Sequence, residues 1–325
     1  MLARPDNPTN AVSFRRTVFR PNMSAIEPEK RLSVEDDVAA LFGMVTRASF
    51  FRELAPELHI DGPAAITTTA LDPRAASAAR ATLSKHGYFS LSSVVSRSRV
   101  DLLASATRAL HDRKVPTCFL FAYDEAWALG FELEDALHAV LGSRYHLVPD
   151  VWAWLIEPIA TRRGWRPHRG TYVDDRRADG APSVINLWLA LSEVTAETAC
   201  MHVVPLDADP HFPGELKSVE FDERSVVALP CERGTLLGWN SNVLHYGGEM
   251  TEAACEARLS LSYTLRDRRE PPELERVPTF EERIDLLAQM IAIYGDQEGA
   301  ELAAARQWAK LHLALHALGT ERARR

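Results

Sequence analysis

Short runs of aromatic and β-branched residues occupy the middle of this 325-residue chain, from about residue 145 to residue 266. Clusters of Pro, Gly and charged residues separate the runs, and no helical periodicity intervenes. Strands in unbroken succession are typical of antiparallel sandwiches and barrels, whereas strands that alternate with helices form parallel sheets. The chain is therefore predicted to contain an antiparallel β-core. The predicted strands are His146–Val148, Val151–Ile156, Val184–Leu191, Met201–Val204, Val226–Leu229, Leu236–Trp239 and Leu259–Thr264.

Helical patterns flank this β-core on both sides, which makes the expected fold class α+β. Downstream, Thr279 and Glu282 form a capping box, and helices are expected over about residues 279–318. One β-core wrapped by helices fits the pattern better than two separable domains. We therefore expect an irregular arm over residues 1–32 and a single domain over residues 33–325. The upstream helices are predicted from Ser33, over Ala75–His86, over Arg99–His111 and over Leu133–Leu141, with a short strand at 88–91.

The composition excludes several classes of protein. A formal net charge of −8 provides no electrostatic surface for nucleic acid. No window approaches 18 uninterrupted apolar residues, and the N-terminus has no apolar signal-peptide segment, so neither membrane insertion nor secretion is expected. Four cysteines without a CxxC pair are typical of reduced thiols in a cytoplasmic protein. Walker, GxGxxG and GxSxG motifs are absent from the sequence.

Two histidines of the last predicted helix, His312 and His316, are spaced i, i+4. That spacing is compatible with a shared metal, but no general base of the HExxH kind stands between them. A structural role is therefore favoured for this pair.

Three motifs of the β-core carry the functional argument. The first is GWRPHRG, which contains His168, and the second is LLGWNSNVLH, which ends at His245, 77 residues later. The third is RLS, which begins at Arg258. Ser260 lies two residues beyond Arg258, so both side chains are expected on the same face of one strand. An arginine in that setting is suited to bidentate hydrogen bonds with a carboxylate.

Together with INLWLALSEVTAETACMHVVP, these motifs resemble the phytanoyl-CoA dioxygenase-like family of Fe(II)/2-oxoglutarate oxygenases. The resemblance covers about residues 145–266, and the helices around 71–110 also look like the N-terminal part of that family. It implies a double-stranded β-helix (a jelly-roll or cupin-like core) and an enzyme that uses Fe(II), 2-oxoglutarate and O2. It further implies that His168 and His245 bind the metal, while Arg258 and Ser260 bind 2-oxoglutarate.

One position departs from the family pattern, which is His-x-Asp/Glu. The carboxylate would stand at position 170, where this chain has Gly170. Asp174 has the same strand parity but lies four residues further on, roughly 13 Å along an extended strand, and Asp175 has the wrong parity. Neither is a convincing replacement ligand.

The loss of this carboxylate leaves three hypotheses. In related halogenases a Gly or Ala stands at this position and a halide binds the iron, so chlorination of a C–H bond, with chloride as an additional cofactor, is the leading one. The second is a hydroxylase that uses the two histidines alone or a carboxylate recruited from elsewhere. The third is a non-catalytic small-molecule binding protein without iron. Replacement of a natural carboxylate by engineering would leave the same sequence.

Two further residues are predicted near the site. Tyr172 shares the parity of His168 and is expected to line the pocket or to pack in the core, while Asn186 is expected to hydrogen-bond the cosubstrate or the substrate. The partner is expected to be a small molecule, either free or tethered to a carrier protein, and loops 159–182 and 205–225 are expected to cover the mouth of the core.

Overall fold

The computed structural model of the protein describes residues 28–62, 71–142, 145–268, 272–295 and 302–323. Its helices are α1 (Pro28–Val45), α2 (Ala48–Leu54), α3 (Pro73–His86), α4 (Arg97–Asp112), α5 (Asp124–Ala136), α6 (His138–Leu141), α7 (Phe280–Tyr294) and α8 (Ala303–Ala323). Its strands are β1 (Tyr88–Leu91), β2 (Tyr145–Ile156), β3 (Val184–Ala190), β4 (Met201–Val204), β5 (Val227–Leu229), β6 (Leu236–Asn240), β7 (Leu244–Gly247) and β8 (Arg258–Asp267).

The strands form two antiparallel sheets that face each other. The larger sheet has the order β1-β6-β3-β8-β2, and the smaller has the order β5-β4-β7. Isolated bridges tie neighbouring segments to this framework, among them His168–His245 and Val194–Cys231. The predicted jelly-roll class is confirmed. The two sheets face each other and do not close completely into a barrel.

Side chains of the larger sheet alternate between two cores, as the strand geometry requires. On β3, Leu187 and Leu189 pack in the core between this sheet and the helices. Trp188 and Ala190 point the other way, into the core between the two sheets. The inner face of the larger sheet is the one that matters for function, because β8 displays Arg258 and Ser260 on it.

The helices begin and end where local signals predict. The Asp72 carboxylate accepts a hydrogen bond from the Ala75 amide at the start of α3, and Gly87 ends that helix with a φ of 82°. The capping box of Thr279 and Glu282 is present at the start of α7. His312 and His316 both contact Asp285, at 2.6 and 3.1 Å, so the structural role favoured for that pair is confirmed.

Some predicted boundaries were wrong. Helix α1 begins at Pro28, so the last residues of the proposed arm are helical, and residues 1–27 of that arm lie outside the described residues. The helix expected over Leu133–Leu141 is instead the end of α5 followed by α6. The two strands predicted on either side of Pro149 and Asp150 are one strand, β2. The pairing of β2 with β8 has a register shift between Val148 and Val151. A proline interrupts a strand ladder without ending the strand when it stands in a bulge.

Within the described residues, no helix is long and apolar enough to cross a membrane.

Candidate metal and cosubstrate site

The two histidines of the sequence motifs stand side by side. The His168 amide donates to the His245 carbonyl at 3.1 Å, the His245 amide donates back at 3.0 Å, and their ring centroids are 4.2 Å apart. The contact forms because His245 is on β7 and the loop that carries His168 pairs with it as an isolated antiparallel bridge. Residues 77 positions apart in sequence thus present two adjacent imidazoles.

Each imidazole is oriented by a backbone carbonyl. His168 Nδ1 lies 2.7 Å from the Arg166 carbonyl oxygen, and His245 Nδ1 lies 2.9 Å from the Val243 carbonyl oxygen. Since a carbonyl only accepts, both Nδ1 atoms carry the proton and both Nε2 atoms present a lone pair. The sequence did not identify these acceptors.

Burial keeps both rings neutral. It lowers the pKa of His168, and burial together with the adjacent His168 ring lowers the pKa of His245 well below its ordinary range. A neutral imidazole is the form that binds a metal ion. The pair therefore has the tautomer and the charge state of a metal site.

Gly170 is itself exposed, but its β-carbon direction is crowded by neighbouring side chains. A β-carbon added to Gly170 would lie 3.0 Å from Asn186 Nδ2 and 3.1 Å from Ser241 Cβ, closer than side chains normally approach. The Gly170 amide also donates to the Ser241 carbonyl oxygen at 2.8 Å. This part of the site is shaped around a glycine, and Asn186 directs an amide donor at it.

Neither nearby aspartate takes the missing position. Asp174 pairs with Arg176 at 2.7 Å. Asp175 accepts hydrogen bonds from Ser241 Oγ at 2.7 Å and from the Val184 amide at 3.1 Å, which fixes it behind Ser241. Across the described part of the chain, no group of three or more His, Cys, Asp or Glu side chains is arranged to hold a metal ion.

The predicted anchor for 2-oxoglutarate is buried between the sheets. Arg258 is 1% exposed, donates through Nη1 to the Ala199 carbonyl oxygen at 2.6 Å and lies 5.5 Å from the centroid of the Trp188 ring. Gly164 and Gly247 make room for it, because a β-carbon on Gly164 would lie 3.1 Å from Arg258 Nη2. A guanidinium this deep favours a carboxylate ligand.

Within the described residues, two buried donors on the inner face of the larger sheet have no protein partner. The Ser260 hydroxyl and the Trp239 indole nitrogen are both buried without a hydrogen-bond partner. The Trp239 ring lies 4.7 Å from the His245 ring, and Ser260 follows Arg258 on the inner face of β8. Buried donors are normally satisfied, so these two indicate a bound acceptor-rich group. The neutral imidazole pair and these donors fit a divalent metal ion and a dicarboxylate.

The remaining predicted residues divide between the site and the surface. Asn186 reaches the site, as described above, whereas Tyr172 is 53% exposed on the loop beyond Gly170 and does not line it. Arg169, whose side chain alternates with that of His168, is buried and pairs with Asp209 at 2.6 Å. Strand alternation predicts that the Arg169 side chain points away from that of His168. The sequence could not identify Asp209 as its partner, because the two residues are distant in sequence.

Comparison with known proteins identifies the family of the chain. The sequence model of the phytanoyl-CoA dioxygenase (PhyH) family matches residues 58–254, a span that contains both histidines and ends shortly before Arg258. No curated protein sequence matches the chain.

Several solved structures are similar to the chain at low sequence identity. The non-heme alpha ketoglutarate dependent epimerase SnoN from nogalamycin biosynthesis is 22% identical over 60% of this chain and 82% of its own, with a TM-score of 0.47. AviO1 from Streptomyces viridochromogenes Tue57 is 18% identical over 63% of this chain and 99% of its own, with a TM-score of 0.49. The carbocyclase SnoK, also from nogalamycin biosynthesis, is 16% identical over 62% of this chain and 87% of its own, with a TM-score of 0.46.

Proposed function

The chain belongs to the phytanoyl-CoA dioxygenase family of iron(II)- and 2-oxoglutarate-dependent oxygenases, and we propose that it replaces a C–H hydrogen of a small-molecule substrate with chlorine. The class of enzyme follows from the family. Chlorination is supported by one observation, the glycine-shaped position beside the two histidines with the Asn186 amide directed at it.

In this proposal His168 and His245 hold iron(II) through their Nε2 atoms, while Arg258 and Ser260 bind the distal carboxylate of 2-oxoglutarate. Iron(II) and 2-oxoglutarate, when bound, supply the oxidation of an unactivated C–H bond with O2. The overall reaction balances: substrate, chloride, a proton, 2-oxoglutarate and O2 give chlorinated product, succinate, carbon dioxide and water.

The chain's own contribution is an anion position at Gly170. A side chain there would require Asn186 or Ser241 to shift by a few tenths of an ångström, whereas an exogenous ion needs no β-carbon. The Asn186 amide is a hydrogen-bond donor, and Ser241 is held in place by its hydrogen bond to Asp175. Asn186 thus stabilises a halide, and Asp175 acts as a positioning residue.

The test is an anaerobic titration of the protein, loaded with Fe(II) and 2-oxoglutarate, with sodium chloride. We expect the visible absorption band of the complex to shift saturably with chloride and not with sodium sulfate at equal ionic strength. Gly170→Asp should abolish the shift, and Gly214→Asp is the matched control because a side chain at Gly214 meets nothing within 4 Å. A hydrogen bond to a charged group contributes about 1.5–3 kcal/mol, so Asn186→Leu should weaken the apparent chloride affinity about tenfold or more.

The outcomes separate the three hypotheses. A shift lost in Gly170→Asp and kept in Gly214→Asp supports chloride at the vacated position. An unchanged spectrum at saturating chloride, with succinate still formed, refutes chlorination and leaves a hydroxylase that uses the two histidines. Retention of iron by His245→Ala at full affinity would refute the assignment of the metal ligands.

A further inference from the structure

A half-buried carboxylate stands on the inner face of the larger sheet, in the bulge of β2. The register of β2 shifts between Val148 and Val151, and Asp150 lies in that irregularity. Bulges are common beside active sites because they redirect a side chain. Here Asp150 Oδ2 accepts a hydrogen bond from Thr264 Oγ1 and Asp150 Oδ1 accepts one from the Tyr294 hydroxyl, both at 3.0 Å.

This carboxylate lies close to the proposed anion position. Thr264, its hydrogen-bond donor, is directly opposite Asn186 in the pairing of β8 with β3. Directly opposed residues of an antiparallel pair have β-carbons about 4.5–5.5 Å apart. Asp150 is therefore separated from the Gly170 region by two neighbouring side chains, Thr264 and Asn186.

The interior opens to solvent at the Asp150 end. Along the inner face of β8, Arg258 and Ser260 are buried, whereas Ser262, Thr264 and Arg266 are partly exposed. Successive residues on this face advance by roughly 6.6 Å, so the row leads from the cosubstrate anchor to the opening. A substrate that enters there passes Asp150 before it reaches the histidines.

The tyrosine that contacts Asp150 belongs to an aromatic cluster. Tyr294 lies 5.1 Å from Trp165 and 6.0 Å from Trp152, measured between ring centroids. Trp165 in turn lies 5.6 Å from the metal-ligand His168. The carboxylate and the histidines thus share one aromatic wall.

The charge of Asp150 has no cationic side chain paired to it within the described residues, since its two hydrogen-bond partners are neutral hydroxyls. Arg266 lowers its pKa and Glu273 raises it, but Arg266 donates to Glu273 at 2.7 Å and is largely neutralised there. Burial raises the pKa of Asp150. An adjacent cation would oppose that shift, so a bound cation and an ionised Asp150 would stabilise each other. Aromatic faces beside a carboxylate favour an ammonium group in particular.

We propose that Asp150, with Thr264, Tyr294 and the Trp165–Trp152 wall, binds an ammonium group of the substrate, which makes the substrate a small amine. This proposal rests on the proposed function in one respect: the amine is taken to be the substrate that is oxidised at the two histidines. Thr264 and Tyr294 orient the carboxylate, and the aromatic wall packs on the alkyl groups around the nitrogen.

The test reads the binding of a cation without iron or 2-oxoglutarate. The full chain carries seven tryptophans, and incorporation of 5-fluorotryptophan gives each a fluorine signal that Trp→Phe variants assign. We expect tetramethylammonium chloride to shift the Trp165 and Trp152 signals saturably. Sodium chloride at equal ionic strength and the neutral analogue tert-butanol should leave both signals unchanged.

Three variants separate recognition from structural support. Asp150→Asn should weaken tetramethylammonium binding at least tenfold, with the melting temperature measured in parallel to confirm folding. Tyr294→Phe keeps the ring and removes one of the two hydrogen bonds that orient Asp150, so binding should weaken, but less than in Asp150→Asn. Asp101→Asn, which removes an exposed carboxylate elsewhere, should bind like the parent.

Equal shifts with tert-butanol, unchanged binding by folded Asp150→Asn, or no saturable shift in the parent would each overturn the proposal. None of these results depends on chloride at the metal site. If the chloride titration fails and tetramethylammonium still binds through Asp150, the ammonium site stands and the chlorination proposal alone is refuted.

Discussion

The buried ion pair of Arg169 and Asp209 is the contact whose removal should most affect both stability and the metal site. Both side chains are 0% exposed, and Arg169 Nη1 lies 2.6 Å from Asp209 Oδ2. The same nitrogen donates to the Asn242 carbonyl oxygen at 2.7 Å. Since Arg169 follows His168 and Asn242 precedes His245 by three residues, the pair connects the two segments that carry the proposed metal ligands.

Asp209→Ala would leave the Arg169 guanidinium buried without its counter-charge. Removal of one partner of a buried pair costs about 3–5 kcal/mol, because the remaining charge stays desolvated. We expect a decrease of that size in the free energy of unfolding, measured by urea denaturation and linear extrapolation. Loss of a group that orients a metal ligand also weakens metal binding by about 10–100-fold, so Fe(II) affinity should fall together with stability.

An exposed pair of similar geometry is the control. Arg233 Nη1 lies 2.7 Å from Asp101 Oδ1, with side chains 33% and 50% exposed. Asp101→Ala should cost less than about 1 kcal/mol and leave Fe(II) affinity unchanged. The double variant Arg169→Met/Asp209→Leu should recover much of the lost stability, because no charge remains buried. A cost for Asp209→Ala no larger than that for Asp101→Ala would refute this reasoning.

Three further predictions concern stability. Gly238→Ala should cost about 1–3 kcal/mol in urea denaturation, since its β-carbon would overlap the Phe89 ring; an unchanged midpoint would contradict that contact. Thr279→Ala should lower the free energy of unfolding by about 1 kcal/mol through loss of the helix cap, and a cost near zero would argue against the capping box. The hydrogen bond that His59 Nδ1 donates to the Glu125 carboxylate raises the pKa of His59. The stabilisation by this pair is therefore complete below a pH of about 6.5 and is lost as pH rises through the raised pKa. The melting temperature of His59→Gln should therefore fall below that of the parent in acid and approach it in alkali; an equal difference at both would refute the ion pair.

The sequence determined the architecture because its signals are local. Period-two runs predicted the strands of the β-core, and caps such as Asp72 and Thr279 predicted where α3 and α7 begin. The helix predicted over Leu133–Leu141 was wrong in its boundaries because α5 is buried on most sides and lacks a polar face to mark its start. The sequence predicted that Pro149 and Asp150 separate two strands. It could not predict that they form a bulge within one strand, because a bulge is defined by the pairing with the partner strand.

The candidate site, like the fold, was predicted from the sequence only in part. The sequence alone supplied the types of residue, the order of the two histidines and the departure at Gly170. Only the tertiary structure decided what surrounds them: the carbonyls that set the tautomers, the approach of Asn186 to the vacated position, the burial of Arg169 with Asp209 and the placement of Asp150 on the inner face. Alternation along a strand fixes which side chains share a face, whereas the partner across a sheet depends on register and on loops distant in sequence. For that reason the proposed metal ligands can be predicted from local motifs, whereas the groups proposed to bind the substrate and the anion are identified only in the folded protein.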